Sequence, residues 1–94
     1  MPFELRYSTE ALNQLKELRA LDRSAILQQI EQVLAVNPTL VSKARVKLLR
    51  QPAPTQYRLR VGNFRIFYDA VEEAVNIIQI LSKEASLEYL KESP

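Results

Sequence analysis

The clearest pattern in the chain runs from Tyr57 to Tyr68, where apolar and polar residues alternate in two runs separated by Gly62 and Asn63. Alternation with period two predicts strands. Gly-Asn between two such runs predicts a two-residue hairpin turn, because glycine supplies the positive φ that the turn needs. With Gly62 and Asn63 as the turn residues, Val61 faces Phe64, Arg60 faces Arg65, Leu59 faces Ile66, Arg58 faces Phe67 and Tyr57 faces Tyr68. One face then carries Tyr57, Leu59, Val61, Phe64, Ile66 and Tyr68, a core face. The other carries Arg58, Arg60 and Arg65 around Phe67. Like charges opposite each other on a sheet are destabilising, so Arg60 against Arg65 breaks a local rule. Broken local rules mark places where function is expected.

Upstream, Phe3 to Tyr7 alternates and predicts a short strand. Ser8 and Thr9 are cap residues, and Glu10 favours the positive end of a helix dipole. Ala11, Leu12, Leu15, Leu18 and Leu21 keep helical spacing, which predicts a helix from Thr9 to about Leu21. Asp22 reads as a second cap. Ile26, Ile30, Val33 and Leu34 predict a second amphipathic helix from about Arg23 to Val36. Asn37-Pro38 ends it. The short break between them implies an antiparallel helical hairpin. Arg45 to Leu49 reads as a short edge strand, followed by a loop carrying Pro52 and Pro54.

After the central hairpin, Ala70 to Ala74 is a turn of unfixed length. Val75 to Leu81 is apolar on both faces, as a central strand is. Ser82 can cap a last helix from Glu84 to about Lys91. The order β-α-α-β-β-β-β-α implies a single α+β domain over residues 1–94. In it an N-terminal strand and a helical hairpin pack with a small, mostly antiparallel sheet in two layers, and a C-terminal helix follows.

Composition narrows the chemistry. The chain has no cysteine and no histidine. A disulfide framework and thiolate chemistry are excluded, a zinc site is disfavoured, and acid–base work falls to Tyr, Lys, Asp or Glu. No cofactor is implied. No leader and no membrane-length apolar run is legible, which fits a cytoplasmic protein with no membrane partner.

The net charge of +2 conceals a segregation. No acid lies between Glu31 and Asp69, a gap that holds Lys43, Arg45, Lys47, Arg50, Arg58, Arg60 and Arg65. From Asp69 onward six acids stand against Lys83 and Lys91. The basic block reads either as a solvated surface or as a phosphate-seeking face. Arginine binds phosphate oxygens bidentately and stays charged. Lys83 stands at the start of the last helix, where a cation opposes the dipole but a phosphate is attracted. Tyr57 and Tyr68 read as core by strand parity. Phe67 and Tyr89 are open between packing and the base stacking of single-stranded RNA recognition.

The element order, the segment Y-R-L-R-V-G-N-F-R-I-F-Y and the tail K-E-A-S-L-E-Y resemble the RelE/ParE superfamily of bacterial toxins over nearly the whole chain. The basic residue followed six positions later by Tyr is similar to the RelE branch. That resemblance implies a ribosome-dependent mRNA endonuclease that inhibits translation and is held inactive by a small cognate antitoxin. It implies an active site of Arg58 and Arg60 on the strand before the turn, Arg65 after it, Lys83 at the helix start and Tyr89 within the helix. Lys43, Arg45, Lys47, Arg50 and Phe67 complete the expected RNA-binding surface. It also implies an oligomeric toxin–antitoxin complex that binds operator DNA through the antitoxin.

This chain has arginine where RelE has its paired lysines, and lysine where RelE has an arginine. Arginine cannot serve as a base. The expected mechanism is metal-free attack of the RNA 2′-OH on the adjacent phosphate. The arginines stabilise the developing charge, Lys83 is the candidate acid, and Tyr89 is the candidate base if the nearby arginines lower its pKa. On this reading Arg65→Ala abolishes cleavage while the fold survives. Two alternatives stay open: a ParE-like inhibitor that poisons DNA gyrase without cleaving, and a non-catalytic interaction module.

Overall fold

The computed structural model describes residues 2–92. Five strands form one sheet in the order β1-β5-β4-β3-β2, with β1 Glu4–Tyr7, β2 Val46–Leu48, β3 Tyr57–Val61, β4 Phe64–Val71 and β5 Ala74–Ser82. β1 runs parallel to β5, and every other pairing is antiparallel. The β3–β4 hairpin has the expected register throughout, from Val61 opposite Phe64 to Tyr57 opposite Tyr68. Gly62 takes φ +54 at its turn, a conformation open to glycine at little cost. The second turn is also two residues, Glu72 and Glu73, with Glu72 at φ 56. β2 lies at the sheet edge as expected, one residue shorter at each end than the predicted strand.

Helices α1 (Thr9–Glu17) and α2 (Ala20–Gln29) follow β1. Ser8 caps α1, its Oγ accepting the Ala11 N–H at 3.0 Å. The helix break falls earlier than the sequence predicts. Leu18 and Arg19 are both extended, α2 starts at Ala20, and Asp22 lies in its first turn rather than at its cap. Arg23 holds the break, since its guanidinium donates to Leu18 O at 2.7 Å and to Leu15 O at 3.0 Å, an oxygen that also accepts the Leu18 N–H. α2 then loosens into a π-helical turn over Ile30–Leu34, with the Ala35 N–H on Ile30 O.

One sheet face meets this helical pair. Ala11, Leu15, Ile26, Ile30 and Leu34 pack with Leu59, Ile66, Tyr68, Val75, Ile77 and Ile80 in the core. Tyr68 is fully buried, stacks on Tyr57 with ring centroids 5.5 Å apart, and donates its hydroxyl to Pro38 O at 2.6 Å. An irregularity between Phe67 and Tyr68 leaves one extra residue, Ile78, on β5. Two interactions hold that point. Ser8 Oγ donates to Ile78 O at 2.6 Å, and Gln14 Oε1 accepts the Ile80 N–H at 2.6 Å where β5 runs past β1. The bulge keeps both Ile77 and Ile80 on the core face.

The opposite face receives α3 (Lys83–Glu92), capped by Ser82 Oγ accepting the Ala85 N–H at 3.1 Å. Among the described residues, no helix is long and apolar enough to cross a membrane.

Candidate phosphate site under the last helix

Cross-strand partners share a face, so the register alone assembles two basic rows. Lys47, Arg58, Phe67 and Gln79 stand in one row across β2, β3, β4 and β5. Arg60, Arg65 and Leu81 stand in the next. Arg58 is half-buried, and its Nε is buried without a hydrogen-bond acceptor. Burial lowers the Arg58 pKa, and the neighbouring positive charges of Arg65 and Arg60 lower it further. Among the described residues the ion pairs are Arg6–Glu4 and Arg19–Asp22, and neither touches this cluster. A buried donor without an acceptor and crowded cations are both unfavourable in isolation, and an anion at the cluster offsets the crowding of charge.

Arg65 behaves differently from the sequence reading. It is only 7% exposed, and its Nη1 donates to Gly62 O at 3.0 Å and Phe64 O at 2.9 Å. Burial and Arg60 push its pKa down, while Glu84 opposes them. The guanidinium therefore braces the hairpin turn from beneath. The turn in turn holds α3, because the Lys83 N–H donates to Asn63 O at 2.9 Å. Lys83 is exposed at the first position of that helix. Arg65, the turn and Lys83 are thus mechanically one unit.

Phe67 and Tyr89 meet each other. Their rings make an edge-to-face contact at 5.0 Å, and Phe67 is fully buried. Phe67 is therefore withdrawn from the expected RNA-stacking surface, because α3 covers it. Tyr89 is half-buried. Its pKa is raised, first by burial and then by the negative charge of Asp69. That reverses the expected effect of the arginines and opposes a role as base: the phenol is held protonated. Asp69 was not a sequence candidate, although strand parity puts it on the face of Phe67, two residues on. Its Oδ1 accepts the Gln56 N–H at 2.7 Å.

Lys43, Arg45, Lys47 and Arg50 are all exposed around β2. Lys47 joins the Arg58 row, and Arg45 O accepts the Arg60 N–H at 2.8 Å. Lys43 and Arg50 flank the strand and are not brought to the cluster by its register.

A family model described as the ParE toxin of type II toxin–antitoxin systems, parDE, matches residues 5–86. The chain belongs to the ParE toxin family. No curated protein sequence matches it significantly. The fold of this toxin is similar to that of the RelBE2 toxin–antitoxin complex from Mycobacterium tuberculosis, with a TM-score of 0.69 at 20% identity over 87% of this chain and 99% of that one. It is likewise similar to the RelB–RelE complex from Methanococcus jannaschii, with a TM-score of 0.67 at 21% identity over 89% and 96% of the two chains. The intact E. coli RelBE complex gives 0.62 at 20% identity over 85% and 95%. The toxin is therefore a member of the RelE/ParE superfamily with the RelE-like α+β architecture.

Proposed function

We propose that this toxin is an endoribonuclease that cuts mRNA presented by the ribosome and so inhibits translation. The observation that carries this reading is the basic cluster of Lys47, Arg58, Arg60 and Arg65 on one sheet face, which holds no ion pair among the described residues. A phosphodiester supplies the opposing charge.

In the proposed reaction the 2′-hydroxyl loses its proton to solvent water, the 2′-oxygen forms a bond to phosphorus and the bond to the 5′-oxygen breaks, leaving a 2′,3′-cyclic phosphate and, once the leaving oxygen is protonated, a 5′-hydroxyl. Arg58 and Arg60 contact the phosphoryl oxygens, whose charge rises in the transition state. Arg65 positions the turn and α3, and through them Lys83, the candidate donor of a proton to the leaving oxygen. Tyr89 stays protonated and acts as a hydrogen-bond donor. No group in the set is a strong base, so in-line positioning of the RNA supplies much of the rate. That is the physical reason to involve the ribosome.

As a type II toxin the chain has a cognate antitoxin. We further propose that the pair acts in the cytoplasm as an oligomer that binds operator DNA through the antitoxin.

The match to the ParE model favours a second reading, a DNA gyrase inhibitor that cleaves nothing. Tyr89→Phe separates the two. It removes one hydroxyl, which an RNase needs and a gyrase binder does not. Loss of mRNA cleavage in this variant, with no effect of the wild type on supercoiling, supports the nuclease. Supercoiling inhibition by the wild type, equal in Tyr89→Phe, supports the gyrase reading.

A further inference from the structure

A depression of about 430 Å³ lies beside the edge strand β2, lined by Thr39, Leu48, Gln51, Gln56, Tyr57 and Ala70. Leu48 and Tyr57 are cross-strand partners, and strand parity puts them on the sheet face away from Arg58. One side of the Tyr57 ring rests on Tyr68, with centroids 5.5 Å and planes 15° apart. The ring is only half-buried, and the part that Tyr68 leaves open lines the depression. Leu48 beside it is 56% exposed. An aromatic ring and a large aliphatic side chain thus floor an open cavity within the size range of small-molecule sites.

The walls are fixed by the chain's own hydrogen bonds. Tyr68 donates its hydroxyl to Pro38 O at 2.6 Å, which ties down the segment carrying Thr39. The Gln51 amide is spent on neighbouring backbone: Nε2 donates to Thr55 O at 3.2 Å and Leu49 O at 3.4 Å, and Oε1 accepts the Ala53 N–H at 3.2 Å. Gln56 is held differently. Its backbone N–H donates to Asp69 Oδ1 at 2.7 Å, and its Oε1 accepts the Ala70 N–H at 2.9 Å. The Gln56 amide therefore has a set orientation, and what it offers a ligand is the Nε2 donor. Thr39 adds an exposed hydroxyl. Among the described residues no acid lines the depression.

Lys47 and Leu48 are neighbours on β2 and face opposite ways, so only the edge strand separates the depression from the row of Lys47 and Arg58. Arg50 is exposed beside Gln51. We propose that the depression is a base-binding subsite, an inference that rests on the RNA-cleaving reading. An unpaired base stacks on Tyr57 against Leu48 and accepts a hydrogen bond from Gln56 Nε2, while flanking phosphates meet Lys47 and Arg50. Stacking on an aromatic ring is how unpaired bases are held, and Phe67 cannot serve because α3 covers it. Tyr57 supplies the ring instead, over the strand edge from the phosphate cluster. A base anchored there fixes the strand on one side of the cluster and so contributes to in-line positioning.

The test is an NMR titration of the isotope-labelled chain with a short single-stranded RNA methylated at every 2′-oxygen, which binds but has no 2′-hydroxyl to react. In the wild type, shifts are expected at the Gln56 side-chain amide and at Leu48 and Tyr57, besides those around Arg58. Tyr57→Leu is expected to bind about tenfold or more weakly, the loss of one base stack, and Tyr57→Phe to bind as the wild type does. Gln56→Met stays neutral at an exposed position, keeps the fold and lacks the donor, so it is expected to bind about fivefold more weakly. Arg58→Ala reports on the phosphate cluster separately. Wild-type affinity in Gln56→Met and Tyr57→Leu, with binding weakened in Arg58→Ala, overturns the subsite and leaves the RNA reading in place. Wild-type shifts confined to the arginine face do the same without recourse to any variant. A wild type that shifts nowhere overturns the subsite together with the RNA reading beneath it.

Discussion

Tyr89 shows how one side chain's surroundings decide what it can do. Burial and Asp69 both disfavour the phenolate, so Tyr89 ionises above the usual tyrosine value of about 10. The sign follows directly. The protonated form is retained to higher pH than in an ordinary tyrosine, so Tyr89 remains a hydrogen-bond donor across the neutral and mildly alkaline range. Ultraviolet titration of wild type against Tyr89→Phe isolates this group. An ionisation below the usual tyrosine value contradicts the influence of burial and Asp69 on this group. Arg58 makes the complementary case. Removing a half-buried cation with an unpartnered Nε relieves the folded state, so Arg58→Ala is expected to leave the melting temperature unchanged or raised while cleavage falls by about a hundredfold or more. Arg65→Ala acts on both counts. It leaves Gly62 O and Phe64 O without their donor, and a loss of about 1–3 kcal/mol in denaturant unfolding accompanies the loss of cleavage.

At the scale of elements, the hairpin and α3 form the working unit. Phe67→Ala opens a cavity beneath α3 and removes the contact with Tyr89, with an expected cost of about 3–5 kcal/mol. Gly62→Ala is a milder test of the turn. Nothing lies within 4 Å of the added methyl, so its cost of about 1–2 kcal/mol is that of the backbone conformation alone. Thermal or urea unfolding reads both.

The hairpin register was legible because a two-residue Gly-Asn turn leaves one pairing, and strand parity then separates arginines from core. Three features were not legible, each for a tertiary reason. The break at Leu18–Arg19 contains no glycine or proline and is held by Arg23 reaching back from α2. The extra residue on β5 is stabilised by Ser8 and Gln14 from outside the sheet. The burial of Phe67 depends on α3 folding back over the arginine face, which parity cannot reveal. The candidate site divides the same way. Its basic residues were readable from alternation, whereas the bracing role of Arg65 and the influence of Asp69 on Tyr89 appear only once the chain is folded.

Across the whole molecule, charge and shape are arranged around Arg60. The sequence concentrates seven of its thirteen basic residues in a stretch without acids, and the fold gathers Lys47, Arg58, Arg60 and Arg65 on one sheet face, with Arg45 beside Arg60 and Lys43 and Arg50 flanking β2. The central claim is that the arginine cluster cuts RNA. Primer extension on a defined mRNA tests it most directly, with programmed ribosomes present or absent, for the wild type and Arg58→Ala. Discrete ribosome-dependent cuts by the wild type that vanish in folded Arg58→Ala are the predicted result. Folded wild-type protein that makes no cuts under either condition, yet blocks DNA supercoiling, contradicts the claim.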